Sequence, residues 1–252
     1  MREFYITDDG IRLHAKLDMP AGKVEGDACP LVILIHGFTG HMEERHIIAV
    51  QEAINESGFA CLRAEMYGHG SSEGEFRNHT LYKWVANALA VVEYAKSLDW
   101  VTDLFLSGHS QGGLLTTLIA GMRPDDFKAI MPLSPACMIP QTCREGEFLG
   151  NAFDPQHLPE EIWIESKESP LSGNYLRVAQ TIHYEDEVRR YHGPVLIVHG
   201  DADEAVPYAV GQEVAAMYDN AELVTIPGDD HCYDYHLELV VEAVKEYLKK
   251  FV

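Results

Sequence analysis

The feature that most constrains this chain is the pentapeptide Gly-His-Ser-Gln-Gly at 108–112. An apolar run at 104–106 ends shortly before it, and a helix-like apolar run at 114–122 follows it. A sharp turn between a strand and a helix lifts a serine hydroxyl above the sheet, and it needs small neighbours because larger side chains would clash. This setting makes Ser110 the candidate nucleophile, whereas the same string in an arbitrary loop would carry little weight.

A candidate acid follows a second predicted strand. The run at 194–199 is short, apolar and rich in β-branched residues, which is typical of a strand buried on both faces of a parallel sheet. Active sites of such sheets form at the carboxyl ends of the strands. Of the acidic residues there, the spacing His-Gly-x-x-Asp-x-x-Val-Pro resembles the acid turn of many α/β-hydrolases and favours Asp203. We expect Asp201 to form a turn and Glu204 to be a solvated charge.

The candidate base lies in the turn after the last predicted strand. The run at 222–226 leads into Pro-Gly-Asp-Asp-His at 227–231, and a helical stretch follows at 237–251. Most of the 13 histidines should be structural or surface residues. His231 differs because it completes the chain order serine, acid, histidine that this fold requires. It would take the proton of Ser110 while Asp203 holds the imidazole tautomer.

An oxyanion hole is the remaining requirement, and it predicts two backbone donors. In this fold one N–H belongs to the residue after the nucleophile, here Gln111, and the other to the loop after an early strand. That strand is predicted at 31–35 and runs into His-Gly-Phe-Thr-Gly at 36–40. By resemblance to the same fold, Phe38 supplies the second N–H.

The order of predicted elements indicates an α/β fold with a mostly parallel sheet and helices on both faces. Runs at 3–7 and 12–18 flank an Asp-Asp-Gly turn and predict an antiparallel hairpin. The chain of 252 residues is long enough for one domain, which we expect over 1–252. Further strands are predicted near 31–35, 59–64, 103–107, 128–133, 194–199 and 222–226, and helices near 44–56, 80–98, 111–122, 208–218 and 236–250.

One segment, at approximately 135–191, breaks this alternation. It carries several prolines and scattered aromatic residues between two core strands on the catalytic side. Loops this long inside a compact domain are usually functional lids, so we expect a cap insertion. Its apolar side chains either line a pocket for a flat or apolar acyl group or form the cap's own core, and the sequence leaves both open. They are Met138, Ile139, Phe148, Leu149, Phe153, Trp163, Ile164, Leu171 and Tyr175.

Composition argues against several other function classes. With 40 acidic and 19 basic residues the formal net charge is −21, which would repel nucleic acid and anionic membrane surfaces. No stretch approaches the roughly 18 apolar residues of a membrane span, and the first residues lack a signal-peptide apolar region, so we expect a cytoplasmic protein. The five cysteines form no Cys-x-x-Cys pair, and His41 and His46 lack the spacing of a zinc motif. We therefore expect no metal, and the oligomeric state, a homodimer included, stays open.

A family resemblance rests on six segments, at 36–41, 66–70, 107–113, 134–136, 174–180 and 228–232. Together they resemble bacterial cinnamoyl (feruloyl) esterases of the α/β-hydrolase superfamily over nearly the whole chain. The segment at 174–180 carries the family assignment, because the triad motifs are shared across the superfamily. The resemblance implies hydrolysis of ferulate, caffeate or p-coumarate esters through an acyl-enzyme on Ser110, without a cofactor. A lipase-like or general carboxylesterase acting on short acyl esters or monoacylglycerols is the alternative.

The resemblance also implies a role for the cap. In that family the cap binds the aromatic ring of the hydroxycinnamate, and a tyrosine matching Tyr175 approaches the phenolic hydroxyl. Some relatives add a polar pair early in the cap, where this chain has Thr142 and Leu149. The candidate substrate-binding residues are therefore Tyr175, Thr142, Leu149 and the aromatic Trp163. An inactive ligand-binding protein of the same fold would lack a triad member, and this chain lacks none.

Overall fold

The computed structural model describes all 252 residues and places an eight-stranded sheet at the centre of the molecule. The strands are β1 (Arg2–Asp8), β2 (Ile11–Asp18), β3 (Cys29–Ile35), β4 (Ala60–Ala64), β5 (Val101–His109), β6 (Ala129–Leu133), β7 (Glu147–Phe148), β8 (Asn151–Ala152), β9 (Glu161–Ile164), β10 (Ser169–Ser172), β11 (Val195–Gly200) and β12 (Ala221–Ile226). The helices are α1 (Arg45–Glu56), α2 (Leu81–Lys96), α3 (Gln111–Met122), α4 (Ile139–Glu145), α5 (Gly173–Gln180), α6 (Tyr184–Val188), α7 (Tyr208–Met217) and α8 (Leu237–Leu248). None of them has the length and apolar content that crossing a membrane requires.

The large sheet has the strand order β1-β2-β4-β3-β5-β6-β11-β12. The β1–β2 and β2–β4 pairs are antiparallel, and every pair from β4 onward is parallel. This is the predicted α/β-hydrolase fold, and the prediction is confirmed. Because parallel strands end at one edge of a sheet, the loops after β3, β5, β11 and β12 meet there. All the predicted triad and oxyanion residues lie in or next to these loops.

Strand β3 shows why helices cover both faces of the sheet. Leu31, Ile33 and Ile35 belong to the core beneath α2 and α3, while Val32 and Leu34 belong to the core beneath α1 and α8. All five side chains are completely buried, which matches the continuous apolar run of a strand covered on both sides. Burial of one such side chain contributes about 1.5–3 kcal/mol, so the strand ends form a rigid base for the loops.

The predicted core elements all appear, with ends displaced by one or two residues. The first hairpin turns through Asp9 and Gly10, whose φ angles of 45° and 78° fit the two-residue turn that an Asp-Gly pair favours. Local turn chemistry and hydrophobic periodicity therefore sufficed for these elements.

Residues 135–191, which lie between β6 and β11, are called the cap segment below. It consists of α4, the β7–β8 hairpin, the β9–β10 hairpin, α5 and α6. Several of its apolar side chains are buried against the core on the side of α2 and α3, among them Ile162, Leu171 and Leu176. The segment is thus packed on the domain rather than extended from it.

Candidate active site

Ser110 occupies the turn in which β5 passes into α3. Its backbone angles, φ 58° and ψ −118°, are strained for a residue with a side chain. A Cβ on Gly108 would collide with the backbone of Gly112, and a Cβ on Gly112 would collide with the backbone at the end of β3. The two glycines of the pentapeptide are therefore needed for the close approach of helix and strand that supports this turn.

The side chains of Ser110, His231 and Asp203 form one hydrogen-bonded chain. His231 Nε2 lies 2.9 Å from Ser110 Oγ, and His231 Nδ1 lies 2.7 Å from Asp203 Oδ2. Because the carboxylate only accepts, Nδ1 donates to it, and the lone pair of Nε2 is left to accept the serine proton. Residues separated by up to 121 positions are thus brought together at the carboxyl edge of the sheet.

The carboxylate of Asp203 is held by its own loop. Its Oδ1 accepts hydrogen bonds from the N–H groups of Ala205 and Val206 at 2.9 and 2.8 Å, and His199 Nε2 lies 3.3 Å from Oδ2. Burial raises the pKa of Asp203, but hydrogen bonds from His199, His231 and Val206 outweigh it and hold the pKa below its ordinary value. The group is therefore an anion at neutral pH.

The two competing acids have other positions. Asp201 Oδ1 accepts a hydrogen bond from the N–H of Gly228 at 2.6 Å, which ties the acid loop to the histidine loop. Glu204 is exposed at the rim of the cavity described below. The expectation that Asp201 forms a turn and that Glu204 is a surface charge agrees with these positions.

A buried aspartate that the sequence analysis missed supports the histidine loop. Asp229 is completely buried, and its carboxylate accepts hydrogen bonds from the N–H groups of Tyr235 and His236, each at 3.0 Å, and from Asp230 at 3.0 Å. The adjacent pair of aspartates before His231 was the available signal, since an aspartate commonly bonds backbone N–H groups a few residues ahead in a turn.

The predicted oxyanion donors lie beside the serine. A Cβ on Gly37 would lie 3.2 Å from Ser110 Cβ, so the loop after β3 passes directly against the nucleophile. The N–H groups of Phe38 and Gln111 have no hydrogen-bond partner within the protein. The carbonyl of Phe38 accepts a hydrogen bond from His69, which fixes the orientation of the loop. Two free backbone donors are thus available next to Ser110.

A cavity of about 530 Å³ opens at Ser110 and His231. Its volume is typical of a site for a small organic ligand. Three glutamates line it, and no lysine or arginine does, so the charged side chains of its lining are acidic (Glu44, Glu147 and Glu204). Its apolar wall comes mostly from the cap segment and the acid loop: Ala136, Met138, Ile139, Phe148, Leu149, Val206 and Pro207.

Two of the four predicted cap contacts line this cavity and two do not. Thr142 and Leu149 are on its wall. Trp163 lies on β9, is half exposed, and does not belong to the lining. Direct contact of Trp163 with a ligand in this cavity is therefore not supported by the structure, because the pairing of β9 with β10 places its side chain on the outer surface of the cap segment.

Tyr175, expected to approach the phenolic hydroxyl, does not line the cavity in this structure. Its side chain is completely buried, and its hydroxyl donates to Gln111 Oε1 at 2.6 Å. Its ring packs against those of Phe38 and Phe148, with centroids 5.4 and 5.0 Å away. Burial raises the pKa of Tyr175 well above its ordinary value, so it remains a donor. The tyrosine supports the cavity wall and the oxyanion loop from behind.

Cys232, directly after His231, also lines the cavity. Burial, followed by the nearby carboxylates, raises its pKa to about 11, so the group is a thiol at neutral pH. All five cysteines are free. No group of three or more histidine, cysteine, aspartate or glutamate side chains is arranged to hold a metal ion.

Two family models match the chain. The model described as serine aminopeptidase, S33 matches residues 26–161, which is more than half of the chain and includes Phe38 and Ser110. The model described as TAP-like protein matches residues 172–250, which include Asp203 and His231. The four positions thus lie within the parts of the chain that these families describe.

Known proteins similar to this chain include one at high identity. A solved structure of Est1E from Butyrivibrio proteoclasticus with ferulic acid bound is 60% identical, covers 98% of both chains and has a TM-score of 0.95. Protein ABHD12B from Homo sapiens is 24% identical over 89% of this chain, which spans 62% of that protein's length, less than two thirds. The thermostable monoacylglycerol lipase from Bacillus sp. (strain H-257) is 24% identical over 87% of this chain and 90% of its own length.

Proposed function

This chain belongs to the serine aminopeptidase S33 family of α/β-hydrolases, and from that premise we propose that it is a serine carboxylesterase that hydrolyses esters of hydroxycinnamic acids. The observation that carries the proposal is the 60% identity to Est1E, in whose structure ferulic acid is bound. The hydrogen-bonded chain of Ser110, His231 and Asp203 beside an apolar cavity supports it independently.

The proposed reaction begins with attack of Ser110 Oγ on the ester carbonyl. His231 Nε2 takes the serine proton, and the charge of Asp203 stabilises the imidazolium that forms. The negative charge that develops on the carbonyl oxygen is met by the N–H groups of Phe38 and Gln111, each worth about 3 kcal/mol in comparable sites. His231 then gives its proton to the departing alcohol, which leaves a hydroxycinnamoyl ester on Ser110.

The second half of the reaction repeats these steps with water. His231 takes a proton from a water molecule, the hydroxide attacks the acyl-enzyme, and the proton returns to Ser110 Oγ as the acid leaves. The product is a carboxylate, whereas the substrate is a neutral ester. The glutamates of the cavity lining repel the anionic product and not the neutral substrate, which favours release of the product.

The apolar wall supports an aromatic acyl group as the ligand of the cavity. Phe148, Met138 and Ile139 offer a surface on which a flat ring is buried, and burial of apolar area contributes about 25 cal/mol per Å². In this proposal the ring lies against the cap segment while the ester carbonyl meets Ser110. Three polar side chains of the cap segment line the cavity, Thr142, Glu147 and Ser166, and of these Thr142 is proposed to contact the ring substituents.

The experiment is a substrate panel read as kcat/KM, because discrimination between substrates is the ratio of these values. Methyl ferulate, methyl p-coumarate, a medium-chain monoacylglycerol and p-nitrophenyl butyrate are compared, with Ser110→Ala as the control for background hydrolysis. The proposal predicts that the hydroxycinnamates exceed the glyceride by about 100-fold or more, since a complementary aromatic pocket is worth several kcal/mol.

A preference for the glyceride would contradict the proposal. It would favour the lipase-like carboxylesterase that the 24% identity to the Bacillus monoacylglycerol lipase also suggests. The cytoplasmic location expected from the sequence stays a prediction, and the oligomeric state, a homodimer included, stays open. Fractionation of the source cells and light scattering on the purified chain would test them.

A further inference from the structure

A second chain of hydrogen bonds lies behind the catalytic histidine. His109 Nε2 is 2.7 Å from the backbone carbonyl oxygen of His231, and His46 Nε2 is 3.1 Å from His109 Nδ1. His46 lies on α1, and His109 is the last residue of β5, directly before the nucleophile. Both histidines are buried, and neither has a part in the proposed reaction.

The direction of this chain follows from its last acceptor. A carbonyl only accepts, so His109 donates through Nε2. Burial, followed by the neighbouring His46 and His231, lowers the pKa of His109 well below its ordinary value, and its neutral ring therefore accepts at Nδ1. His46 must donate to that nitrogen. Burial lowers the pKa of His46 to about 4, so it is also neutral at pH 7.

The backbone carbonyl of His231 depends on this contact. No N–H of the backbone donates to it, so His109 is its hydrogen-bond donor in the protein. The ring of His109 also packs against the ring of His231, with centroids 4.7 Å apart. Asp229 fixes the loop through N–H groups on the far side of His231, at 235 and 236, and leaves residue 231 itself to His109.

We propose that His109 and His46 are positioning residues for the reaction, which hold the backbone of His231 so that its ring meets Ser110 and Asp203 at once. This inference rests on the proposed function. It gives the second residue of the pentapeptide a specific purpose, because His109 joins the strained turn of the nucleophile to the loop of the base. A misplacement of about 1 Å in such a group costs about 100-fold in rate.

Paired substitutions separate positioning from simple packing. Gln at 109 keeps an amide N–H at the distance of Nε2, whereas Leu has similar bulk and no donor. We expect His109→Leu to lower kcat on methyl ferulate by about 100-fold with KM nearly unchanged, and His109→Gln to recover most of that loss. His46→Leu should lower kcat by about ten-fold. His46→Gln should restore it, since the Gln amide can still donate a hydrogen bond to His109 Nδ1.

A matched control removes a buried histidine elsewhere. His14 lies on β2 and bonds Glu65 and Glu3 through its two ring nitrogens at 2.9 and 2.7 Å. Two strands, β4 and β3, lie between β2 and β5 in the sheet. His14→Leu should lower the melting temperature and leave kcat within about two-fold. Equal loss of kcat in this control would overturn the proposal.

Proton NMR tests the inference without any substrate. The proton that His231 Nδ1 donates to Asp203 should give a far-downfield resonance in the wild type and in His109→Gln, and a shifted or broadened one in His109→Leu. An unaltered resonance and kcat in His109→Leu would overturn the proposal, and so would a Gln variant as impaired as the Leu variant. If the wild type hydrolyses no ester, the proposed function fails while the resonance still decides this inference. If His109→Leu does not fold, the His46 pair gives the same decision.

Discussion

The loops at the carboxyl edge of the sheet and the cap segment line the same cavity, but their side chains are positioned by different means. In the loops, polar side chains bond backbone groups a few residues away, as Asp203 bonds the N–H groups of Ala205 and Val206. In the cap segment, apolar side chains take their places by packing, so that Phe148 lines the cavity and Tyr175 lies buried against it. Sequence spacing therefore identifies the side chains of the hydrogen-bonded triad, while packing decides which aromatic residue lines the cavity.

The largest effect should come from the loops. Ser110→Ala or His231→Ala should lower kcat by about a million-fold, since removal of nucleophile or base costs that much in a comparable hydrolase. Leu149→Ala in the cap segment should cost no more than about ten-fold, because it removes part of one apolar contact. Hydrolysis of methyl ferulate measures both. A Ser110→Ala variant that keeps a few per cent of the activity would break the contrast between the two regions.

The acid loop offers a matched pair for the next largest effect. Asp203→Asn should lower kcat by about 10⁴-fold, because the amide stabilises the wrong tautomer of His231. Asp201→Asn should leave kcat nearly unchanged, since Asn keeps an oxygen that accepts from the N–H of Gly228. Both variants are compared by kcat and by urea unfolding at neutral pH. Equal losses of kcat in the two would remove the assignment of the acid.

The loss of folding stability at acid pH should come from buried histidines outside the cap segment. Burial lowers the pKa of His46 and His69 to about 4 and that of His79 to about 3, from an ordinary 6.5, and lowers those of His36 and His109 as well. Between about pH 4 and pH 6.5 these histidines are neutral in the folded protein, whereas the same histidines bind protons in the unfolded chain. Their stabilising contribution is thus complete above pH 6.5 and is lost as the pH falls toward 4, by about 1.4 kcal/mol per histidine per pH unit.

Urea unfolding between about pH 8 and about pH 5 measures this slope. His79→Phe should make it shallower by about one proton, whatever its effect on stability at neutral pH. His183→Phe in the cap segment is the control, because it removes an exposed histidine whose side chain makes no hydrogen bond. An identical slope in wild type and His79→Phe would contradict the account.

The smallest of these effects is expected for Tyr175→Phe, at the contact between the cap segment and the loop of the nucleophile. The variant keeps the buried ring and loses the hydrogen bond to Gln111 Oε1. We expect kcat to fall by about ten-fold, the cost of about one hydrogen bond to a group that positions the oxyanion donor, with KM unchanged. The fall should be the same for methyl ferulate and methyl cinnamate, which lacks the phenolic hydroxyl. A rise in KM confined to methyl ferulate would instead indicate that Tyr175 contacts the phenolic hydroxyl of the substrate.

The sheet, its helices and the three candidate triad side chains could be predicted from the sequence because each depended on a local rule. Strand β3 followed from its apolar run, and the serine turn followed from its glycines. The choice of Asp203 over Asp201 needed only spacing. Such rules involve residues that are close in sequence, so they can be applied without knowledge of the tertiary structure.

The hydrogen bonds behind His231 and the buried position of Tyr175 depend on contacts between residues far apart in sequence. His46 meets His109 across 63 positions, and Tyr175 meets Gln111 across 64. No periodicity or motif encodes such pairings, since they arise from the way α1 and α5 pack on the domain. Trp163 illustrates the same limit, because its exposure depends on the pairing of β9 with β10.

The most direct test of the central claim is to trap the acyl-enzyme. Methyl ferulate is mixed with the protein and quenched in acid within the first turnover, and the modified residue is identified by peptide mass spectrometry. We predict a feruloyl group on Ser110 that is absent from Ser110→Ala and accumulates in neither the His231→Ala variant nor the unfolded chain. A feruloyl group on another residue, or hydrolysis at full rate by Ser110→Ala, would contradict the account.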